Sequence, residues 1–434
     1  MYPNLKKNIL LVEGYNAYGI YDLNRGKFFR VNKPAGKFLQ ELNSEKKIDN
    51  FSKSEVEFIK ECYNRKILIY NELPTKKYTL NINEVMRECR PLRFAWLELT
   101  SKCNHNCLHC FLGKDLNSFP PLPLDKVLRF IDILNDKGIS QIIISGGEPL
   151  LHPDIEKIIK YASKYPINLT ILTNGTTSKA KELAYLIKEN DIKVKLSILG
   201  NEETHDNIVG VKGSFKKLME TCELYKKIGI NFEFGYTVNS LNIEDVEYIK
   251  SLADKLGVFI EFSPLYDLGN ATYNRKILFS HSQNEIIRVC KNNKSSIKIK
   301  RKKNSLKRLI KDSDYEAVDL KKFITNSQEC GQKIIAIQCN GLVSPCLLIR
   351  EADRCIGNIN NNELSDLLNY NFVDRAKFNS MVKIDTMNKC RGCEARFVCK
   401  GGGCIAASYS IYKNFSEPNP YYTGCFYKSK DIEE

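Results

Sequence analysis

The sequence predicts an α/β protein in which a partial barrel of six strand–helix units lies between two smaller regions. Strand-like and helix-like segments alternate within residues 92–290, and a short α+β pattern precedes them in residues 1–75. Residues 325–434 lose this periodicity and contain nine of the 16 cysteines. We therefore expect an irregular C-terminal domain that is organised by metal more than by an apolar core.

The central alternation predicts the architecture of the barrel. Repeated strand–helix units form a parallel sheet with the helices outside. In barrels of this kind, the chemistry takes place at the carboxyl ends of the strands. The predicted strands are Phe94–Leu99, Gln141–Ser145, Asn168–Thr173, Lys193–Leu199, Asn231–Val238 and Val258–Ser263. Amphipathic helices are predicted between them at about 124–137, 153–164, 178–190, 214–228 and 243–256.

The N-terminal region has the pattern of a small α+β unit. Three short β-type segments are followed by two helical segments and a last strand. Ser52 or Ser54 is expected to cap the second helix. The predicted elements are strands Ile9–Val12, Tyr18–Tyr21 and Phe28–Val31, helices Ala35–Leu42 and Ser54–Tyr63, and strand Ile67–Tyr70.

The amino-acid composition indicates a globular protein and favours metal or redox chemistry for its cysteines. Hydrophobic residues make up 43% of the chain and charged residues 27%, which is typical of a globular protein. No apolar run is long enough to span a bilayer and the start is not signal-like, so we expect a cytoplasmic protein without a membrane partner. In a reducing compartment, 16 cysteines indicate metal or redox chemistry rather than disulfides.

The chain is basic, with a formal net charge of +15. Its densest basic run is Lys298–Lys303, and further cations extend this run to Lys311. No aromatic residues are interleaved with these charges, which favours a solvated surface segment over a nucleic-acid site. We therefore expect no nucleic-acid partner, and a basic patch for RNA stays open as the alternative.

A cysteine triplet directly follows the first predicted barrel strand. Cys103, Cys107 and Cys110 lie within eight residues, a spacing that lets three thiolates hold one face of a 4Fe–4S cluster. Because this cluster has four irons, three cysteines leave one iron open for another ligand. The alternative is a zinc site that includes His105 or His109, which the two-part spacing disfavours.

The triplet resembles the signature of the radical S-adenosylmethionine (SAM) superfamily, and Phe111 matches the aromatic residue that usually follows the last cysteine. This resemblance implies that Cys103, Cys107 and Cys110 hold the catalytic cluster, whose open iron binds SAM. Segments at the ends of later strands are similar to the SAM-binding segments of the superfamily. The residues expected to bind SAM are Phe111, Gly146, Gly147, Glu148, Thr173, Asn174 and Ser197.

The C-terminal cysteines resemble those of a SPASM domain, which carries two auxiliary 4Fe–4S clusters. The resemblance assigns Cys330, Cys346 and Cys404 to the first auxiliary cluster. Cys339 is the only candidate for a fourth ligand there, and a core or turn role is preferred for it. For the remaining group, a structural zinc ribbon is the alternative. The ligands assigned to the second auxiliary cluster are Cys390, Cys393, Cys399 and Cys425.

Almost the whole chain resembles the radical SAM/SPASM maturases of ribosomally made peptides, in particular those that form thioethers, as in sactipeptides. Residues 1–75 resemble the winged-helix-like recognition element of these enzymes. The resemblance implies that this element binds the leader of a precursor peptide by adding a strand to its sheet. A purely structural cap is the alternative for this region.

The resemblance also implies the reaction. A donor such as flavodoxin or ferredoxin supplies an electron, SAM is cleaved to a 5′-deoxyadenosyl radical, and this oxidoreductase chemistry closes a thioether in the peptide. Formylglycine formation in a sulfatase-type enzyme, a carbon–carbon crosslink and an epimerisation stay open as alternatives.

Overall fold

The computed structural model of the chain describes residues 1–25, 27–42, 44–74, 80, 92–292, 330, 334–369, 383–402 and 404–420. The basic run that ends at Lys311 and Cys425 of the second auxiliary group lie outside these residues. Within them, no helix is both long enough and apolar enough to cross a membrane.

The N-terminal region folds as an α+β unit, and its elements agree with the predicted ones to within two residues at each end. A further strand at the start of the chain was not predicted, because its partner is more than 60 residues away and no local turn signal marks it. The elements are strands β1 (Tyr2–Leu5), β2 (Ile9–Glu13), β3 (Ala17–Asp22), β4 (Lys27–Asn32) and β5 (Leu68–Asn71) and helices α1 (Lys33–Glu41) and α2 (Lys53–Asn64).

Two small sheets and two capped helices make up this unit. Strands β2, β3 and β4 form an antiparallel meander, whereas β1 pairs antiparallel with β5. Asn32 caps α1 and Pro34 fits its first turn. Ser52, one of the two predicted caps, forms a capping box with Glu55 at the start of α2. The apolar faces of both helices pack on the meander around Ile20.

The central region confirms the predicted partial barrel. Six strands pair in parallel, in the order in which they occur along the chain, and the helices between them cover the outside. These strands are β6 (Phe94–Glu98), β7 (Gln141–Ser145), β8 (Asn168–Thr173), β9 (Lys193–Ser197), β10 (Phe232–Val238) and β11 (Phe259–Pro264).

The helices of the barrel differ from the prediction at three places. The helix expected at 178–190 is divided at Leu183. A helix after β9 was missed although Asn201 caps it and Gly210 ends it at φ +69°. The three helices after β11 were not predicted either. The helices are α3 (Leu124–Asp136), α4 (Ile155–Ala162), α5 (Ser178–Glu182), α6 (Ala184–Glu189), α7 (Glu202–Val209), α8 (Ser214–Ile228), α9 (Val246–Leu256), α10 (Asn270–Tyr273), α11 (Arg275–Leu278) and α12 (Gln283–Asn292).

The C-terminal region continues the sheet of the barrel. Its first strand pairs in parallel with β6, and two antiparallel strands extend the sheet to nine strands. Ile335, Val343 and Leu367 belong to the same hydrophobic core as the barrel. The expectation that metal more than an apolar core organises this region is therefore wrong for residues 334–368. Its elements are β12 (Ile334–Ile337), β13 (Leu342–Ser344), β14 (Gly357–Asn358), α13 (Leu364–Leu367), α14 (Arg396–Cys399) and α15 (Ile405–Tyr412).

The N-terminal unit packs directly on the cysteine loop at 390–399. The Tyr21 hydroxyl donates to the Glu394 carbonyl at 2.7 Å, and Arg30 Nε forms an ion pair with the fully buried Glu394 carboxylate at 2.5 Å. A Cβ atom on Gly14 would lie 2.4 Å from Glu394 Oε2, so this close approach requires a glycine. The first and last regions of the chain therefore form one interface.

Candidate active site

The cysteine triplet lies in a loop that leaves the carboxyl end of β6. The Cys103 amide donates to Asn117 Oδ1 at 2.9 Å. Asn270 donates its backbone amide to the Cys110 carbonyl at 2.8 Å and its side-chain amide to the Cys107 carbonyl at 3.1 Å. On the opposite side, two backbone amides of the loop donate to carbonyls at the end of α7. Neighbouring elements of the protein thus hold the loop in shape.

The thiols of the triplet are buried, which disfavours their unbound thiolate form. Burial raises the pKa of the Cys103 thiol to about 12, and it raises the pKa of Cys107 and Cys110 as well. Iron offsets this burial cost, because it stabilises the thiolate form. His105, which the zinc alternative would use, has its Nε2 atom 3.0 Å from Ser214 Oγ, and burial lowers its pKa to about 4.

Two glycines at the end of β7 pack closely against the backbone at the start of the cysteine loop. A Cβ atom on Gly146 would lie 2.4 Å from the Thr100 carbonyl oxygen, and one on Gly147 would lie 2.5 Å from the Lys102 carbonyl oxygen. The Gly147 amide donates to the Thr100 carbonyl at 2.8 Å. Larger residues would therefore separate these two segments.

Glu148 connects the ends of β7 and β8. Its buried carboxylate accepts hydrogen bonds from Thr173 Oγ1 at 2.7 Å, from the Asn174 amide at 2.8 Å and from the Leu150 amide at 3.0 Å. Burial raises the pKa of Glu148 to about 7, and the three hydrogen bonds oppose this rise. Glu148 therefore positions Thr173 and Asn174 from below.

A cavity of about 640 Å³ brings most of the predicted site residues together. Glu148 is not among the residues that line it, in agreement with its position beneath the surface. The lining also includes Cys330 and Cys346 from the C-terminal group, so both cysteine groups face the same space. The predicted residues that line the cavity are Cys103, Cys107, Cys110, Phe111, Gly146, Gly147, Thr173, Asn174, Ser197, Cys330 and Cys346.

Three C-terminal cysteines lie together at the far side of this cavity. The thiols of Cys330 and Cys346 interact directly, and this interaction raises the pKa of Cys330. Tyr266, another cavity residue, lies with its hydroxyl against the Cys404 thiol. Burial raises the pKa of Cys404. In the part of the chain that the structure describes, no three His, Cys, Asp or Glu side chains surround a position for a single metal ion. The thiolates of a cubane bind different irons and are spaced more widely than the ligands of one ion.

Cys339 takes part in a different interaction. Its thiol donates to Glu98 Oε1 at 2.9 Å. The same buried carboxylate accepts a hydrogen bond from Arg350 at 2.7 Å, and Arg350 also donates to Asp115 at 2.8 Å. This arrangement agrees with the preferred core role of Cys339. It also connects the C-terminal region to β6 and to the segment after the triplet.

The second C-terminal group lies against the N-terminal unit. Cys390 and Cys393 are buried, and the Cys393 amide donates to the Cys390 carbonyl at 2.8 Å in a tight turn. The Cys399 amide donates to the Ala395 carbonyl at 3.0 Å within α14. The Gly392 carbonyl, between the first two cysteines, accepts from the amide of Tyr15 at 2.7 Å.

Sequence reasoning missed the charged groups on the inner face of the barrel. Lys195 and Glu261 line the cavity and form an ion pair, and Lys195 Nζ also lies 3.1 Å from Glu233 Oε1. Lys193, Lys195 and Ser197 alternate with Val194 and Leu196, so the polar positions share one face of β9. This alternation was the available signal.

Comparison with known protein families places two domains on this fold. Residues 97–253 match the Radical SAM superfamily, and residues 329–394 match SPASM, an iron–sulfur cluster-binding domain. Together with the parallel partial barrel, these matches define the chain as a radical SAM enzyme with a SPASM domain. The radical SAM domain binds a 4Fe–4S cluster and SAM, and the SPASM domain binds auxiliary iron–sulfur clusters.

Individual proteins are similar to this enzyme over different lengths. An AdoMet-dependent heme synthase of Methanosarcina barkeri is 28% identical over 78% of this chain and 97% of its own length. The subtilosin biosynthesis protein AlbA of Bacillus subtilis is 31% identical, but the match covers only 38% of this chain and 37% of AlbA.

Among solved structures, SuiB of Streptococcus suis, bound to the precursor peptide SuiA, has a similar fold. Its TM-score is 0.55 at 15% identity, with 97% of this chain and 99% of SuiB covered. The enzyme anSMEcpe with bound AdoMet has a TM-score of 0.54 at 21% identity over 76% of this chain and 90% of its own.

Proposed function

We propose that this enzyme modifies a ribosomally made precursor peptide and closes a thioether between a cysteine sulfur and a carbon atom of that peptide. The observation that carries the proposal is the shared cavity. One side presents the cysteine triplet, and the other presents Cys330 and Cys346. A peptide in this cavity has its carbon atom near SAM and its sulfur near a second thiol-rich site.

The residues of the chain have separate parts in this reaction. Bound at the triplet, the 4Fe–4S cluster and SAM supply a 5′-deoxyadenosyl radical that removes a hydrogen atom from the substrate. Gly146 and Gly147 allow a close approach of the backbone on the SAM side of the cavity. Asn174 and Ser197 present polar groups there, while buried Leu199 helps to exclude water.

The far side of the cavity suits a substrate cysteine. Cys330, Cys346 and Cys404 offer three thiols for a four-iron cluster, and Cys339 is engaged by Glu98. We propose that a cysteine of the peptide supplies the remaining thiol. Closing the thioether would then remove two hydrogens from the peptide. One leaves as a hydrogen atom to the deoxyadenosyl radical, and the other leaves as the thiol proton together with one electron, which the auxiliary cluster at these cysteines would accept.

The N-terminal unit provides a surface for the leader of such a peptide. Strand β4 is an edge strand of the meander, because among the described residues it pairs only with β3. An extended peptide can add to an edge strand through main-chain hydrogen bonds. SuiB, which has a similar fold, was solved with a precursor peptide, and AlbA acts in bacteriocin biosynthesis by its name.

An iron porphyrin is the second candidate substrate. The similarity to an AdoMet-dependent heme synthase extends over nearly the full length of that enzyme. A peptide remains the better proposal, because the edge strand β4 can bind an extended peptide through main-chain hydrogen bonds and offers no comparable contact to a porphyrin. Anaerobic incubation with SAM and either a precursor peptide or an iron coproporphyrin distinguishes the two candidates by product mass.

Mass spectrometry of the peptide product tests the thioether. We expect a loss of two hydrogens per crosslink, and crosslinked cysteines that do not react with iodoacetamide after reduction. A carbon–carbon crosslink also loses two hydrogens but leaves its cysteines reactive, and an epimerised product has unchanged mass. Free cysteines in a product that has lost two hydrogens would contradict the thioether while leaving the radical SAM chemistry intact.

Hydrogen–deuterium exchange tests the leader site without any substitution. We expect the leader peptide to slow amide exchange in residues 27–32, because outward-facing amides of β4 would bond to the added strand. A scrambled leader of the same composition is the control. Protection that is confined to other regions, with no change in β4, would show that the leader binds elsewhere.

A further inference from the structure

A second cavity, of about 920 Å³, opens on the surface behind the cysteine loop. Its walls come from α10, α11, the segment after them and α15. Within the described residues, Tyr273 is 80% exposed there, Ile277 45% and Ile411 42%. Arg275 and Lys276 are exposed between these apolar side chains. We refer to Tyr273, Arg275, Lys276, Ile277 and Ile411 as the docking face.

The docking face is bonded directly to the loop that carries the triplet. Tyr273 belongs to α10, a single turn that begins at Asn270, and Asn270 donates to the carbonyls of Cys107 and Cys110. Asn274, the next residue, donates to the Leu108 carbonyl at 2.9 Å. A molecule seated on this face is therefore separated from the triplet by little more than one turn of chain.

The charge of the docking face favours an acidic partner. Asp267 is the only carboxylate that lines this cavity in the described part of the chain, and it is 7% exposed with one oxygen 3.3 Å from Arg275. The Asp267 carboxylate is therefore shielded from a partner and paired with Arg275, whereas Lys276 is exposed on the same face. Opposite charges speed the encounter of two proteins and orient them.

We propose that the docking face receives a small acidic flavodoxin, which delivers one electron to the cluster held by the triplet. The reduced flavin loses one electron and the cluster gains it, and no covalent bond is made or broken. The exposed ring of Tyr273 can stack on the edge of a flavin, which a ferredoxin does not offer. Transient redox complexes have small interfaces, so a face of this size is sufficient. The proposal rests on the radical SAM chemistry and not on the peptide substrate.

Charge reversal on the loaded enzyme tests the docking face. The variant Arg275→Glu/Lys276→Glu is compared with Lys137→Glu/Lys227→Glu, which makes the same charge change at the opposite end of the barrel. Stopped-flow absorbance follows cluster reduction by flavodoxin hydroquinone at low ionic strength, and calorimetry measures flavodoxin binding. We expect both reduction and binding to weaken about tenfold or more in the docking-face variant only. Reduction by dithionite, which needs no docking, should be equal in all three proteins.

A second variant, Tyr273→Ser, alters the face without changing its charge, and equal dithionite reduction shows that each variant is folded and loaded. Slower reduction by flavodoxin in Tyr273→Ser supports the stacking contact. Wild-type rates with flavodoxin in both docking-face variants would refute the proposal. A defect seen with ferredoxin but not with flavodoxin would also overturn it. No outcome of this assay bears on the thioether, because no peptide is present.

Discussion

The buried carboxylate of Glu148 makes the stability of the site depend on pH. Its folded-state pKa of about 7 lies above its ordinary value of 4.5, so between these values the folded protein keeps a proton that the unfolded chain has lost. The stability that this proton contributes is present below pH 4.5 and is lost as the pH rises through 7. Glu148→Gln removes this dependence, because glutamine is neutral throughout.

We therefore expect the free energy of unfolding of the wild type to fall relative to Glu148→Gln by about 3 kcal/mol between pH 4.5 and 7. Urea unfolding at several pH values measures this difference. At low pH the variant should be the less stable protein, since its amide cannot accept all three hydrogen bonds. The exposed Glu244→Gln is the control, and parallel pH profiles for the wild type and Glu148→Gln would contradict the prediction.

The cysteines of the triplet could be predicted from the sequence. The residues that form hydrogen bonds around the site could not. The spacing of Cys103, Cys107 and Cys110 is local, so the sequence alone was enough to predict them as cluster ligands. Arg350 has no such signal, because its partner Glu98 lies 252 positions earlier in the chain. Tyr266 is an ordinary aromatic residue in the sequence, and only the fold brings it to Cys404.

The turn after β7 packs closely against the segment that leads into the cysteine loop. Gly146 has a φ of +153° and has no space for a side chain beside Thr100. We expect Gly146→Ala to cost at least about 3 kcal/mol and to abolish SAM cleavage, because the turn must move away from the loop. Anaerobic SAM cleavage and urea unfolding measure the two effects.

Gly257→Ala is the matched control for this substitution. Gly257 also has a positive φ, of +71°, but a Cβ atom there would meet nothing within 4 Å. Its cost should stay near 1–2 kcal/mol, with SAM cleavage retained. Equal losses of activity in the two variants would show that positive φ alone, rather than contact with Thr100, explains the effect.

The strands of the barrel were predictable because each has a local pattern and its neighbour in the sheet is its neighbour in the chain. The pairing of β12 with β6 was not predicted, because it depends on residues far away in sequence. The division of the helix at Leu183 was missed for a different reason, since no glycine or proline marks it.

For the whole molecule, the cysteine groups predict the metal content. We expect iron and sulfide for three 4Fe–4S clusters per chain after anaerobic reconstitution. Replacing Cys103, Cys107 and Cys110 together with Ala should remove one cluster and all SAM cleavage, and leave the other two. Elemental analysis and electron paramagnetic resonance measure these contents, with Cys222→Ala, a buried cysteine of the barrel core, as the control. Zinc as the main metal would contradict the prediction.

The pairing of β6 with β12 has a consequence for how the protein is made on the ribosome. Positions 94 and 334 are paired but lie 240 residues apart, so one edge of β6 stays without its partner while that length is synthesised. At about 5–20 residues per second this takes roughly 12–50 s. During that interval the nascent chain exposes an apolar strand edge of the kind that recruits other chains. The sheet of the newborn enzyme therefore stays open at β6 until β12 has been synthesised, and iron loaded at the triplet before then would enter a site whose first strand lacks one neighbour.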